Sequence, residues 1–538
     1  MEAEKSQEFN QRLSQWIASQ GFWFQLRHSM SSGGGWSITL FHLLRMAFRV
    51  LIVVALIGLL FFYYLVKRVN TGAFQTQIRS GFEKAVEASD AKLLGFRRIQ
   101  GQAMVRRVGA TGTPESFFQS MEAGNLVFNM GMLDGLTQKW EAGVIQMNWL
   151  DMELRAGANS EEEASAAAGA FFANHPGFEL RGLDVNNARL SWGYFERAYG
   201  GITGSKLLAN RTANGWRLSF TGGTFSQNWI RRFEIQELVM FCSRDGLVVE
   251  KGVLKAGKGT VTFDGVKVSG GELPELSGDL VFEHIPLSAL LPNNAQEVVS
   301  GTISGRFALG GSTNSAGGVT LNGKVDLDGE DMISVRSGLH LLEALDVVDV
   351  FNSYKRVDFD QGDFEVDTQS GTMTISQLNL EARGLMTVQG RITVRRPDAE
   401  ELEKQFGITD GLPGVDSGLD AKQESELQIS LKNAGEASKA SEPEEGADPE
   451  TSRFFSDMAD TRRLRREAMD RARNLYLFDG GVRMMIPGDA FERSRILRER
   501  FPVDQSTGKI GIDVPLEGTL ANLTLKQAEE ILRLSSDE

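Results

Sequence analysis

Residues 359–394 read FDQGDFEVDTQSGTMTISQLNLEARGLMTVQGRITV. Apolar and polar residues alternate along it. Phe364 and Val366 come first, then Met373 and Ile375, Leu378 and Leu380, Met386 and Val388, and Ile392 and Val394. A period of two puts such residues on one side of a strand. Residues 367–371, rich in turn formers, separate two of the runs. The stretch therefore predicts an antiparallel meander. It carries no catalytic motif. Its ten apolar residues make one face, and something must cover that face: protein core, or a ligand that is not protein.

The same rhythm extends outward. Strand patterns occupy residues 143–154, 183–192, 216–220, 233–241 and 247–254, with a phase change near Trp149 and Leu150 that predicts a bulge. GTVTFDGVKV from Gly259, GTISGRFAL from Gly301, GVTLNGKVDL from Gly318 and GLMTVQGRITV from Gly384 share a glycine–strand–glycine form. Repetition of one strand unit predicts a sheet that grows along one axis. Residues 509–516 and 518–525 read as closing strands, and 527–534 as a short helix. In SGLHLLEALDVVDVF, residues 337–351, Leu341, Leu342, Leu345, Val348 and Phe351 recur at three- and four-residue steps. That is an amphipathic helix. Residues 74–88 and the alanine-rich 161–174 also read as helical.

Composition agrees with many strands: glycine is abundant at 59 and proline scarce at 12 in 538 residues. The net charge of −14 argues against a nucleic-acid partner. Cys242 is the single cysteine, so no intrachain disulfide and no cysteine-rich metal site can form. Residues 50–66, VLIVVALIGLLFFYYLV, hold no charge and are bracketed by Arg49 and Lys67. They predict a transmembrane helix, with Tyr63 and Tyr64 suited to the interface. Arg45 and Arg49 precede the span, whereas Lys67, Arg68, Arg79 and Lys84 follow it. This count opposes export of the C-terminal part, although long domains translocate despite such charges. The leader, residues 1–49, reads either as interfacial helix or as a disordered tail with apolar patches such as Trp16, Ile17, Trp23 and Phe24.

Catalytic motifs are missing. The five histidines are scattered, with no zinc spacing and no G-x-S-x-G elbow. GVLKAGK at 252–258 and GVTLNGK at 318–324 match G-x-x-x-x-G-K, but Gly259 and Val325 stand where a phosphate loop needs Ser or Thr. DLDGED at 326–331 lacks the spacing of an EF-hand and reads as a solvated turn. No cofactor and no catalytic or metal residue is expected. Residues 432–452 read as a disordered linker. A helix over 453–476 follows, carrying Arg462, Arg463, Arg465, Arg466, Arg471 and Arg473. That helix suits either anionic headgroups or plain solvent.

The order of anchor, strands, the helix in 337–351, the meander of 359–394 and the closing IDVPLEGTLANLTL at 512–525 resembles the AsmA-like family of bacterial envelope proteins. The resemblance is best over 335–395 and 510–525; residues 90–300 share only the strand–glycine style. It implies a mainly β fold: an elongated, curled antiparallel sheet forming an apolar groove, with a few amphipathic helices and one N-terminal transmembrane helix. Residues 70–300 would form the first part of the groove, 301–431 the AsmA-like region and 453–538 the closing part. It further implies a non-enzymatic protein of the inner membrane, its large domain periplasmic, that binds or passively conducts phospholipid or another membrane lipid in envelope biogenesis. Other envelope proteins would be its partners. About twenty strands side by side would span on the order of 100 Å. The alternative is a membrane-anchored structural or partner-binding β-domain with a closed core; an exported enzyme without a recognised motif is the third reading. On the first reading the ten apolar residues of the opening stretch line the groove.

Overall fold

The structure is a computed structural model. It describes residues 2–31, 36–69, 71–113, 116–131, 140–155, 178–195, 198–227, 230–269, 275–291, 293–311, 319–336, 339–369, 372–395, 397, 453–457 and 476–536. The chain forms two compact units, Met1–Phe74 and Gln75–Glu538.

The first unit is helical: α1 (Glu2–Ser19), α2 (Phe22–Ser31) and α3 (Trp36–Val69), with α4 (Gly72–Val86) crossing its boundary. Within α3, Leu43–Tyr64 is long and apolar enough to cross a membrane, and none of its most apolar stretch is buried in protein. The expected division between leader and span at residue 49 falls inside this helix. Arg45 and Arg49 are the reason: they obscure its start in the sequence, yet lie within two turns of the candidate span's first end, where long side chains can reach the interface. The leader is helical on both sides of residues 32–35.

The second unit is one sheet of β1 (Ala88–Leu94), β2 (Arg97–Ile99), β3 (Gln102–Gly112), β4 (Phe118–Asn129), β5 (Trp140–Arg155), β6 (Phe178–Phe195), β7 (Ala198–Arg211), β8 (Gly215–Thr221), β9 (Thr224–Gln227), β10 (Ile230–Ser243), β11 (Gly246–Ala256), β12 (Gly259–Ser269), β13 (Leu276–Pro286), β14 (Val299–Gly311), β15 (Val319–Arg336), β16 (Arg356–Gln369), β17 (Thr372–Ala382), β18 (Met386–Arg395), β19 (Leu477–Pro487) and β20 (Lys509–Gly518). From β10 onward each strand pairs antiparallel with the next in sequence. β1 and β2 share one edge of β3. β8 and β9 share the lane between β7 and β10. Gly222 and Gly223, at φ +69° and +73°, break that lane; a Cβ on Gly223 would lie 2.5 Å from backbone atoms of Ser205 and Thr203.

One pairing corrects the expectation of a purely antiparallel sheet: β5 and β6 run parallel. A parallel pair needs a crossover of about a dozen residues or more, and the chain has 156–177 to make it. The helix expected at 161–174 lies there, outside the described residues. The phase change expected near Trp149 and Leu150 is present, since the buried positions of β5 step from Met147 to Leu150. β5 nevertheless keeps straight register there with β4 and β6, and a register shift lies instead in β6, between Val185 and Ala188 against β7. Position 301 falls inside β14.

The outward face carries ion pairs within and between strands. Arg306 lies 3.4 Å from Asp264 and 3.6 Å from Asp279, and Lys324 lies 2.9 Å from Asp326 and 3.0 Å from Asp363. Exposed pairs contribute at most about 1 kcal/mol each, so their main effect is to keep this face in water. The inward rows join one continuous apolar cluster. It includes buried residues of α5 (His340–Val348), α6 (Arg495–Arg500) and α7 (Leu525–Ser536). The Leu341 N–H donates to Thr524 Oγ1 at 3.2 Å, tying α5 to the start of α7, and Ser494 caps α6 by accepting from the Leu497 N–H.

Three ends differ from expectation. α5 stops at Val348, and Phe351 is exposed. The Asp349 carboxylate draws the chain into a turn, accepting from the N–H groups of Phe351 and Asn352 and from the Tyr354 hydroxyl at 2.8 Å. The strand expected over 518–525 is instead a 3-10 turn, Leu520–Asn522, running into α7, because Leu520 and Leu523 reach the core at a three-residue step. Of the expected arginine helix, 453–457 is helical, while 458–475 and the expected linker 432–452 lie outside the described residues.

Candidate functional site

The inward face is built of rows of directly opposed residues. One row of directly opposed residues crosses β10 to β16: Ile235, Leu254, Val261, Phe282, Gly305, Val325 and Phe364. Its side chains are sealed, none more than 7 % exposed. Nearer the other end of the same strands, Cys242, Leu247, Val268 and Leu276 form a second row. It resumes as Leu309, Leu321, Thr368, Met373, Val394 and Phe478. There Cys242, Leu247, Val268, Leu276, Leu309, Leu321, Met373 and Phe478 are only half-buried. The face is thus shut along one line and partly accessible along a parallel one. On the shut side, a 3-10 turn at Leu287–Ala289 touches both β10 and β14, and Leu287 joins the core.

The ten residues singled out from the sequence fall on both lines. Val366, Ile375 and Ile392 are opposed in one row, Met373 and Val394 in the next, and Leu380 and Val388 in a third. Leu378 faces Gly390, and Met386 faces Ala382. Phe364, Val366, Leu378, Leu380, Met386 and Val394 are buried, whereas Met373, Ile375, Val388 and Ile392 are half-buried. Protein side chains therefore cover six of them. Sequence reading missed the partners of this face outside the opening stretch, notably Leu247, Leu276 and Leu309. Their alternation was visible; their alignment into a row depends on register, which bulges at Thr302/Ser304 and Asp328/Ile333 shift.

One polar cluster lies on β13, β14 and β15. His284, at φ +50°, places Nδ1 3.1 Å from Asp331 Oδ1 and Nε2 3.2 Å from Glu330. Its backbone N–H donates to Ser304 Oγ. The hydrogen bond and charge of Asp331 raise the His284 pKa. Burial pushes the Asp331 carboxyl up, but hydrogen bonds from Ser304, His284 and Thr302 outweigh it and hold the group below the usual range. Each of these contacts is internal to the three strands β13, β14 and β15. Among the described residues no cluster of three His, Cys, Asp or Glu side chains is arranged to hold a metal. Burial raises the Cys242 thiol to about 11, which keeps it protonated and unreactive. The first G-x-x-x-x-G-K match lies within β11 and the turn to β12, and the second lies in β15 from Val319 onward, its Gly318 being outside the described residues. Comparison with protein-family models, curated proteins and solved structures finds no match to this chain.

Proposed function

We propose that this is a membrane-anchored protein that holds or passively conducts lipid along the inward face of its sheet. The half-buried row from Cys242 to Phe478 carries the reading. Apolar side chains stay partly accessible along one line across many strands, and acyl chains laid there would gain roughly 0.8 kcal/mol per methylene. Curvature of the sheet would shape that line into a groove. Phe225 in β9 and Phe263 in β12 are three lanes apart, about 14 Å on a flat sheet, yet their rings lie 6.2 Å apart. Gly252 leaves the space into which Phe263 leans. The candidate span in α3 supports a single-pass anchor, and the resemblance to AsmA-like proteins supports an inner-membrane location, a periplasmic sheet and a role in envelope biogenesis. Holding a lipid requires no reacting group, so no catalytic residue is assigned.

The sealed row favours a second reading: a closed core serving as scaffold or partner-binding surface. The two separate in one experiment. The full chain is incubated in mild detergent with a phospholipid bearing a photoactivatable acyl chain, and adducts are mapped. Labelling is expected at Leu247, Leu276 and Met373 and not at Val261. Leu276→Asp and Met373→Asp should lose co-purifying lipid while the sheet stays folded. Adducts confined to α3, with lipid content unchanged in both variants, would leave the closed core standing.

A further inference from the structure

We infer that α1 and α2 form a bilayer-surface module, lying along the headgroup–acyl boundary beside the candidate span. The inference rests on α3 crossing the membrane. In α1, Phe9, Leu13, Trp16 and Ile17 fall at helical steps of four, three and one, which gathers them within about 100° of the helix. Phe9, Leu13 and Trp16 are exposed. Gln11 lies on the opposite side, with Gln7, Ser14 and Ala18 around it. The stripe continues into α2. The Trp16 and Phe24 rings meet edge to face at 5.5 Å, and the Gln25 side-chain amide donates to the Ala18 and Gln20 carbonyls at 2.8 and 2.7 Å. Trp23 then stands exposed beside them. α1 lies next to α2, and α2 next to α3.

The occupant proposed is the bilayer, for two reasons. The stripe leads, through α2, to a helix whose most apolar stretch, among the described residues, no protein covers. Its composition also fits an interface, since tryptophan and phenylalanine over a polar back suit shallow insertion. In α1, Glu2, Glu4 and Glu8 are offset by Lys5 and Arg12, and Arg12 pairs with Glu8 at 2.8 Å. Attraction to anionic lipid is therefore a minor contribution, and zwitterionic vesicles should suffice.

The test uses the full chain with Cys242→Ala, reconstituted in phosphatidylcholine vesicles. Spin labels go on Leu13→Cys, Gln11→Cys and Leu56→Cys, one at a time. Collisions with oxygen and with a water-soluble nickel chelate are measured for each. The Leu13 label should favour oxygen at a depth of about 5–10 Å. The Gln11 label should favour nickel, and the Leu56 label should lie deepest. A nickel-favouring Leu13 label beside a deep Leu56 label overturns the module and spares the anchor. Nickel access at both overturns both. A Leu13 label shielded from both reagents means that protein covers the stripe, which also overturns the proposal. Brominated lipids give a second readout without engineered thiols: replacing Trp16 and Trp23 with Phe should remove the shallow-quenched part of the fluorescence, and unchanged quenching rejects the module.

Discussion

The candidate span in α3 and the sealed row of the sheet are both unbroken apolar surfaces, and their surroundings are opposite. From Val50 to Tyr64 the large side chains of α3 are exposed, including Val54, Leu56 and Leu60; from Ile235 to Phe364 the sealed row is buried. Periodicity makes the difference. A helix apolar on every side has no polar face to turn to water, so it needs an apolar solvent. A strand that alternates can turn one face to water and give the other to neighbouring chain. The half-buried row is intermediate: its residues belong to the sheet, yet protein covers them only in part.

The largest expected effect comes from placing a charge where that cover is complete. Val261 lies in the sealed row with no exposed surface. Val261→Asp would bury a carboxylate without a partner, and the sheet should lose more than about 4 kcal/mol. Denaturant unfolding of the full chain in detergent measures it. A loss below about 1 kcal/mol would mean that the row is open to water and that the contrast with α3 is false.

The same chemistry in α3 should leave the sheet untouched. Val54→Arg places a charge near the middle of Leu43–Tyr64, at a cost to membrane insertion of about 2.5–3.5 kcal/mol. Resistance to alkaline extraction from membranes should fall, with the unfolding midpoint of the sheet unchanged. Loss of sheet stability instead would show that α3 is a structural part of the second unit.

Much of this contrast is legible in the sequence. The uncharged run at 50–66 marks the candidate span, and alternation marks β16, β17 and β18, although β16 runs to Gln369, through three positions of the turn expected at 367–371. What escapes is set by partners distant in the chain. The direction of β6 depends on its crossover, since alternation reads the same in parallel and antiparallel strands. The end of α5 depends on Asp349 meeting Tyr354. Burial of Phe364 but not Ile375 depends on which rows the rest of the molecule covers, although both alternate equally well.

A smaller effect sharpens the same point on the outward face of the sheet. Phe455, from residues 453–457, is buried against β3, with Arg107 stacked 4.2 Å from its ring centre and Arg107 itself paired with Glu122. Gly109 makes the contact fit: a Cβ there would lie 2.6 Å from the Phe455 ring and 2.8 Å from that of Phe454. Gly109→Val should cost about 1–3 kcal/mol by overpacking and should open the segment to protease. A variant as stable and as protected as the parent would mean that these rings do not rest on β3.

The smallest expected effect is a dependence on pH that belongs to the sheet alone. His284 faces Asp331, with Glu330 and Glu283 nearby, and its pKa is raised by them. A raised histidine contributes stability fully below its unfolded value of about 6.5 and loses it as pH rises through the folded value. Asp331 has the opposite sign: held low, it contributes above about 3.9 and loses that contribution as pH falls through its folded value. The sheet should therefore melt at its highest temperature on a plateau between these limits and decline slightly on the alkaline side. His284 is about half exposed, so water screens the pair and the decline stays smaller than any effect above. His284→Gln should flatten the alkaline decline and leave lipid content and membrane extraction as they were. A variant whose melting falls as steeply as the parent's between pH 6.5 and 8.5 would assign the dependence to another group.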